Sequence, residues 1–133
     1  ENAGHYGWHG LLDGSADDEH EAKAGAAFER ARELVAGAGE ADLREPLPLD
    51  GDPDDGVHLL ILDEVLYAAN RGLIEPADVV DLIERAPDGL ELVLTGGHEE
   101  PTYATERADL VSEVRKRVHP MDAGQRARKG TEY

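Results

Sequence analysis

The sequence predicts an α/β fold built around a parallel sheet. Three apolar runs of strand length occur, at 57–62, 90–95 and 110–114, and segments with helical character lie between them. Strands that alternate with helices form βαβ units, in which the strands lie parallel. With 133 residues, the chain is long enough for a single hydrophobic core. We therefore expect residues 1–133 to form one α/β domain or the C-terminal part of one.

The first predicted element is a helix that starts at Asp17 or Asp18 and ends near Gly37 and Gly39. Aspartate is a favoured N-cap, and glycine commonly ends a helix. The residues after this helix, 40–56, combine three prolines and two glycines with many acids and predict an exposed acidic insertion. The apolar stripe that should dock the helix on the sheet consists of Ala24, Ala27, Phe28, Ala31, Leu34 and Val35.

Downstream of the insertion, the strands are connected by short helices. Gly72 ends the first of these helices, and Pro76 opens the next, where its missing N–H is not needed. In this second helix, Val79, Leu82 and Ile83 should face inward. The tail from His119 to Tyr133 has no clear period. The predicted elements in this part are strands at 57–62, 90–95 and 110–114 and helices at 64–71, 76–86 and 103–107.

The run at 57–62 ends on two adjacent carboxylates, Asp63 and Glu64. A continuous apolar run is typical of a strand covered on both faces, and open α/β sheets bind ligands just outside the carboxyl ends of their strands. In nucleotide-binding α/β proteins this is the Walker B position, where a carboxylate holds Mg²⁺ directly or through water. The structural alternative is that Asp63 only caps the following helix.

The charge balance excludes several functional classes. The chain carries 30 acidic residues against 13 basic ones, for a net charge of −17, and such a surface repels nucleic acid. There are no cysteines, which excludes disulfides and thiolate metal sites, and no apolar run approaches the length of a membrane helix. We expect a cytoplasmic protein adapted to high salt, because molar salt screens the repulsion between carboxylates. An ordinary acidic protein with a disordered loop is the alternative.

The basic residues crowd toward the C-terminal end of this acidic chain. A localised basic stretch indicates an anion site, although the first three residues could also form the solvated end of a strand. The stretch comprises Arg115, Lys116, Arg117, Arg126, Arg128 and Lys129.

Six motifs in chain order resemble the P-loop type of ATP:corrinoid (cob(I)alamin) adenosyltransferases. The resemblance extends from residue 4 to the last residue and is interrupted at 40–56. A single motif would be weak evidence for this family, whereas six motifs in the right order are specific evidence. The motifs are Tyr6-Gly7-Trp8, Leu62-Asp63-Glu64 continuing to Arg71-Gly72-Leu73-Ile74, Ala86-Pro87-Asp88-Gly89-Leu90-Glu91, Leu94-Thr95-Gly96, Ala108-Asp109-Leu110-Val111-Ser112-Glu113, and His119-Pro120-Met121-Asp122-Ala123-Gly124 leading to Arg128-Lys129-Gly130-Thr131-Glu132-Tyr133.

This resemblance implies a three-layer parallel sheet of the P-loop NTPase (RecA-like) type. It also implies transfer of the 5′-deoxyadenosyl group of ATP to the cobalt of a reduced corrinoid, with release of triphosphate, in a Mg²⁺-dependent and typically homodimeric enzyme. The resemblance also leaves room for a partner that reduces Co(II). Within the family pattern, Glu64 and Asp63 match the catalytic, metal-binding acids. The corrinoid-binding positions are Tyr6, Trp8 and Met121, and the nucleotide- and phosphate-binding positions are Thr95, Gly96, Arg128 and Lys129.

The chain departs from the family pattern at several positions and lacks one motif. Tyr6 stands where the family has a phenylalanine. Gly97 stands where the family has an arginine, and Met121 stands where it has a phenylalanine. No Walker A loop of the form G-x-x-x-x-G-K-[ST] occurs in the 133 residues, so we expect that loop to precede Glu1 and residues 1–133 alone to be inactive. The alternatives are a non-catalytic corrinoid-binding or dimerisation module and a generic Mg²⁺-dependent ATPase.

Overall fold

The computed structural model describes residues 17–40, 57–97 and 99–126 of the chain. The predicted helices and strands up to residue 107 are confirmed, with small shifts at their ends. The predicted insertion at 40–56 lies outside the described residues except for Glu40, and it stays a prediction. The elements are α1 (Asp17–Glu40), β1 (Leu59–Leu62), α2 (Val65–Asn70), α3 (Pro76–Arg85), β2 (Glu91–Leu94), α4 (Thr102–Thr105) and a 3₁₀ helix (Pro120–Ala123).

In the part of the chain that is described, β1 and β2 form a two-stranded parallel sheet in which Leu59 is opposite Glu91 and Leu62 is opposite Leu94. Side chains alternate between the two faces of a strand. On one face, Leu60 and Leu62 pack against the hydrophobic core. On the other face, Leu59 and Ile61 are each 55% exposed, so the expected burial of both faces is wrong for the described structure. No described element covers that second face.

The core lies between α1, the apolar face of the sheet and the two helices that connect the strands. Residues of α1 at alternating spacings of four and three are buried: Ala24, Phe28, Ala31, Val35 and Ala38. From α3, Val79 and Leu82 are almost completely buried, as the helical pattern predicts.

An ion pair joins α1 to α3 at the edge of this core. The guanidinium of Arg32 donates to the carboxylate of Asp78 at 2.6 Å and lies 5.4 Å from the centre of the Phe28 ring. None of the described helices is long and apolar enough to cross a membrane.

The end of α1 agrees closely with the predicted end, and one other prediction about these elements is wrong. Helix α1 continues past Gly37 and Gly39 to Glu40, because the buried Ala38 between the glycines anchors the last turn in the core. Residues 110–114 form no strand: Leu110 is 83% exposed and Val114 is 94% exposed. A strand needs a neighbour to pair its backbone N–H and C=O groups, and neither of the two described strands pairs with this segment.

Candidate active site at the carboxyl ends of the strands

The parallel pairing brings the carboxyl ends of β1 and β2 to one edge of the sheet. Asp63 and Glu64 follow β1 directly, and Thr95 and Gly96 follow β2. Both carboxylate residues are exposed, as a site that binds a ligand requires. The structure therefore brings together four of the predicted site residues.

Thr95 connects the two strand ends through four hydrogen bonds. Its hydroxyl donates to Asp63 Oδ1 at 2.6 Å and accepts from the backbone N–H of Glu64 at 2.9 Å. Its backbone N–H donates to the carbonyl of Leu62, and its carbonyl accepts from the N–H of Leu66, each at 3.1 Å. The side chain and the backbone of Thr95 thus both hold the turn between β1 and α2.

Glu64 has a left-handed backbone conformation, with φ 61° and ψ 13°. Among the described residues, it is the only non-glycine residue with positive φ. This conformation costs about 1–2 kcal/mol in an L-residue with a Cβ atom, so it persists only where neighbouring contacts enforce it. The hydrogen bond from the Glu64 N–H to Thr95 and the start of α2 immediately afterwards supply those contacts.

Gly96 packs directly against the same turn. A Cβ atom at this position would lie 2.8 Å from the backbone nitrogen of Tyr67 and 3.2 Å from Cα of Glu64. Its φ of +104° is also unfavourable for residues with a side chain. Glycine is therefore required for β2 to end this close to the acid pair.

The structural alternative for Asp63, that of a helix cap, is not supported. The cap position of α2 is Glu64, and its side chain makes no capping hydrogen bond. The Oδ1 atom of Asp63 instead accepts from the hydroxyl of Thr95. Asp63 is therefore fixed toward β2 and not toward the start of the helix.

The donor set at this edge fits Mg²⁺ bound together with a phosphate substrate. Carboxylate oxygens are suitable ligands for Mg²⁺, which usually takes one or two of them and completes its shell with water and substrate phosphates. Within the described ranges, no cluster of three or more histidines or acids is found. The Asp63–Glu64 pair matches a site that is completed by water and substrate.

The C-terminal candidates are only partly described. Met121 lies in the 3₁₀ helix, is 68% exposed and does not belong to the hydrophobic core. Tyr6, Trp8, Arg128 and Lys129 lie outside the described residues, and their predicted roles stay predictions.

The basic stretch is partly neutralised by its own neighbours. Arg115 makes two 2.8 Å hydrogen bonds to the carboxylate of Glu113, and this interaction raises the pKa of the arginine. Lys116 lies 3.0 Å and 3.1 Å from the two carboxylate oxygens of Asp122. Two of the three charges at 115–117 are thus paired locally, which weakens the case for an anion site on this stretch alone.

The sequence pointed to Thr95, but not to the contacts it makes. A hydroxyl-bearing residue at the end of the strand beside an acid pair is the signal that could have indicated the Asp63 hydrogen bond. No sequence signal indicated the left-handed conformation of Glu64, because glutamate has no preference for it.

A sequence profile of the family described as ATP:corrinoid adenosyltransferase BtuR/CobO/CobP matches residues 2–133. The chain belongs to the corrinoid adenosyltransferase family. It is 34% identical over 112 residues to a corrinoid adenosyltransferase of Pseudomonas aeruginosa, covering 84% of this chain and 46% of that protein. A corrinoid adenosyltransferase of a Sinorhizobium species is 30% identical over 113 residues, covering 84% of this chain and 44% of that protein.

The chain spans about half the length of these curated relatives. No solved structure matches it significantly. The family is one of transferases that use ATP and a corrinoid as substrates, and the described structure adds a mixed α/β fold with a small parallel sheet.

Proposed function

We propose that the intact protein transfers the 5′-deoxyadenosyl group of ATP to the cobalt of a reduced corrinoid. The observation that carries this proposal is the family match over residues 2–133, in which Asp63 and Glu64 fall at the carboxyl edge of the sheet. The activity of the whole protein is inferred, because the matched relatives are about twice as long as this chain.

In the proposed reaction, Co(I) of the corrinoid substrate attacks C5′ of ATP with its electron pair. A Co–C5′ bond forms, the bond between C5′ and oxygen breaks, and triphosphate leaves with the electrons of that bond. Cobalt is thereby formally oxidised from Co(I) to Co(III). A separate reducing partner is expected to return Co(II) to Co(I). The protein's task is to aim C5′ at cobalt and to stabilise the charge on the departing triphosphate.

Asp63 and Glu64 are the proposed ligands of the catalytic Mg²⁺. When bound, the ion would supply positive charge to the phosphates of ATP. The left-handed turn and the Thr95 hydroxyl fix where these two carboxylates leave the sheet. Gly96 would serve the site by letting β2 end close against the turn that carries the two carboxylates.

The remaining site residues are proposed from the family resemblance. Tyr6 and Trp8 would line the corrinoid pocket, together with the exposed Met121. They would help to keep the lower face of cobalt free of its nucleotide ligand. Arg128 and Lys129 would contact the phosphates, a role that suits their positive charge.

We further infer that this sheet belongs to a three-layer fold of the P-loop NTPase type. The exposed Leu59 and Ile61 support a second layer on the open face, since parallel sheets normally have both faces covered. In that arrangement, residues 1–133 would be the C-terminal part of the α/β domain, and a Walker A loop elsewhere in the protein would cradle the triphosphate. A cytoplasmic, salt-adapted homodimer is the expected setting.

The test is an adenosylation assay with the intact protein, ATP, Mg²⁺ and chemically reduced cobalamin under anaerobic conditions. The expected result is a light-sensitive adenosylated product and one triphosphate released per product molecule. Release of orthophosphate without an adenosylated product would indicate a generic ATPase instead. Corrinoid binding with no turnover would support the non-catalytic module and overturn the proposal.

A further inference from the structure

We infer that Thr95 is a positioning residue for the acid pair and not a residue that binds phosphate. This inference rests on the proposed function, because it concerns the metal-binding role given to Asp63 and Glu64. It replaces the nucleotide-binding role that the family resemblance implies for Thr95. The evidence is the direction of the hydrogen bonds at the Thr95 hydroxyl.

A threonine hydroxyl has one proton to donate and two lone pairs that accept. The proton of Thr95 goes to Asp63 Oδ1 at 2.6 Å, and one lone pair accepts from the N–H of Glu64 at 2.9 Å. What is left is a lone pair, which repels the oxygens of a phosphate. The hydroxyl could contact a phosphate only by giving up its bond to Asp63.

The same two bonds determine how the acid pair presents its charge. The bond to Oδ1 fixes the rotation of the Asp63 carboxylate and leaves Oδ2 as the oxygen directed elsewhere. The bond from the Glu64 N–H holds that residue in its left-handed conformation, which sets the direction in which its side chain leaves the turn. Partners that orient metal ligands in this way typically change metal affinity or activity by about 10–100-fold when they are lost.

The contacts of Thr95 allow the role of its hydroxyl to be tested separately from the packing of its methyl group. Its backbone N–H and carbonyl make their own bonds to Leu62 and Leu66, and a substitution of the side chain leaves these in place. Valine keeps the shape and the strand preference of threonine but lacks the hydroxyl. Serine keeps the hydroxyl but lacks the methyl group. The two variants therefore report on different parts of one side chain.

The experiment measures binding of Mn²⁺ as a probe for the Mg²⁺ site, by electron paramagnetic resonance of free Mn²⁺ in the presence of ATP and the intact protein. The same titration without protein is subtracted, because ATP alone also binds Mn²⁺. We expect Thr95→Val to raise the Kd for Mn²⁺ by about tenfold or more, and Thr95→Ser to leave it within about threefold. Thr105→Val is the matched control, because the Thr105 hydroxyl makes only a long 3.5 Å contact to the carbonyl of Thr102. Circular dichroism establishes whether each variant is folded. If the valine variant does not fold, Thr95→Ala replaces it as the variant without a hydroxyl.

The outcomes separate this inference from the proposed function, because no corrinoid turnover is needed. If Thr95→Val binds Mn²⁺ as tightly as the unmodified protein while Glu64→Gln does not, the metal assignment stands and the positioning role is wrong. If Thr95→Ser binds Mn²⁺ more weakly than Thr95→Val, the methyl group and not the hydroxyl supports the metal site, which would also overturn the inference. Weaker binding of ATP in the presence of EDTA, with Mn²⁺ affinity unchanged, would restore the phosphate-binding role.

Discussion

Substitution of Gly96 by alanine tests the close contact between the two strand ends. The added Cβ atom would lie 2.8 Å from the backbone nitrogen of Tyr67 and 3.2 Å and 3.3 Å from Cα and the carbonyl carbon of Glu64. All three neighbours are backbone atoms, so a change of side-chain rotamer cannot relieve the overlap. The end of β2 or the start of α2 must shift, and the acid pair would shift with it.

The loss of stability expected for Gly96→Ala has two contributions. Placing alanine at positive φ costs about 1–2 kcal/mol, and forcing an extra carbon into a packed site costs about 1–3 kcal/mol. Their sum is about 2–5 kcal/mol for Gly96→Ala. The matched control is Gly72→Ala, where φ is +74° but no atom lies within 4 Å of the added Cβ. The control should lose only the conformational contribution.

Urea unfolding followed by circular dichroism at fixed KCl measures the free energy of unfolding of both variants. The expected difference is about 1–3 kcal/mol, with Gly96→Ala the less stable protein. A difference below about 0.5 kcal/mol would refute the close packing of β2 against the acid turn, because independent surface substitutions vary by that amount.

Two further predictions concern stability. The Tyr103 hydroxyl is buried and has no hydrogen-bond partner among the described residues, so Tyr103→Phe should raise the free energy of unfolding by about 1 kcal/mol at neutral pH. No change in urea unfolding would count against that burial. Burial raises the pKa of the Tyr103 hydroxyl. The stability that the protonated hydroxyl contributes is therefore complete below the ordinary tyrosine pKa of about 10 and is lost as pH rises through the folded-state pKa. The Tyr103→Phe variant should lack this loss of stability at alkaline pH. The net charge of −17 predicts that Tm climbs as KCl rises from about 0.1 M to about 1 M, and a flat or falling Tm in thermal scans would contradict adaptation to salt.

The sequence was sufficient to predict the elements whose pattern is local. Apolar spacing predicted α1 and the buried Val79 and Leu82 of α3, and the apolar run ending on acids placed Asp63 and Glu64 at the carboxyl edge of the sheet. These predictions held because periodicity and strand polarity depend on few distant contacts.

Features that depend on distant neighbours could not be predicted in the same way. The sequence placed the end of α1 near Gly37 and Gly39, and burial of Ala38, which offsets the cost of glycine in a helix of about 1 kcal/mol, extends the helix to Glu40. The apolar residues at 110–114 have strand character, yet without a neighbouring strand they stay exposed. The bond between Thr95 and Asp63 spans 32 positions and arises only from the pairing of β1 with β2.

The central claim is that the acid pair at the end of β1 serves adenosyl transfer, and the rate of the Glu64→Gln variant tests it most directly. Glutamine keeps the size of glutamate but removes the negative charge, and Glu106→Gln makes the same change at another exposed position at the end of α4. In the intact protein at saturating ATP and Mg²⁺, we predict that Glu64→Gln lowers kcat by about 100-fold or more, whereas Glu106→Gln leaves it within about twofold. A Glu64→Gln rate within about twofold of the Glu106→Gln rate would contradict the claim.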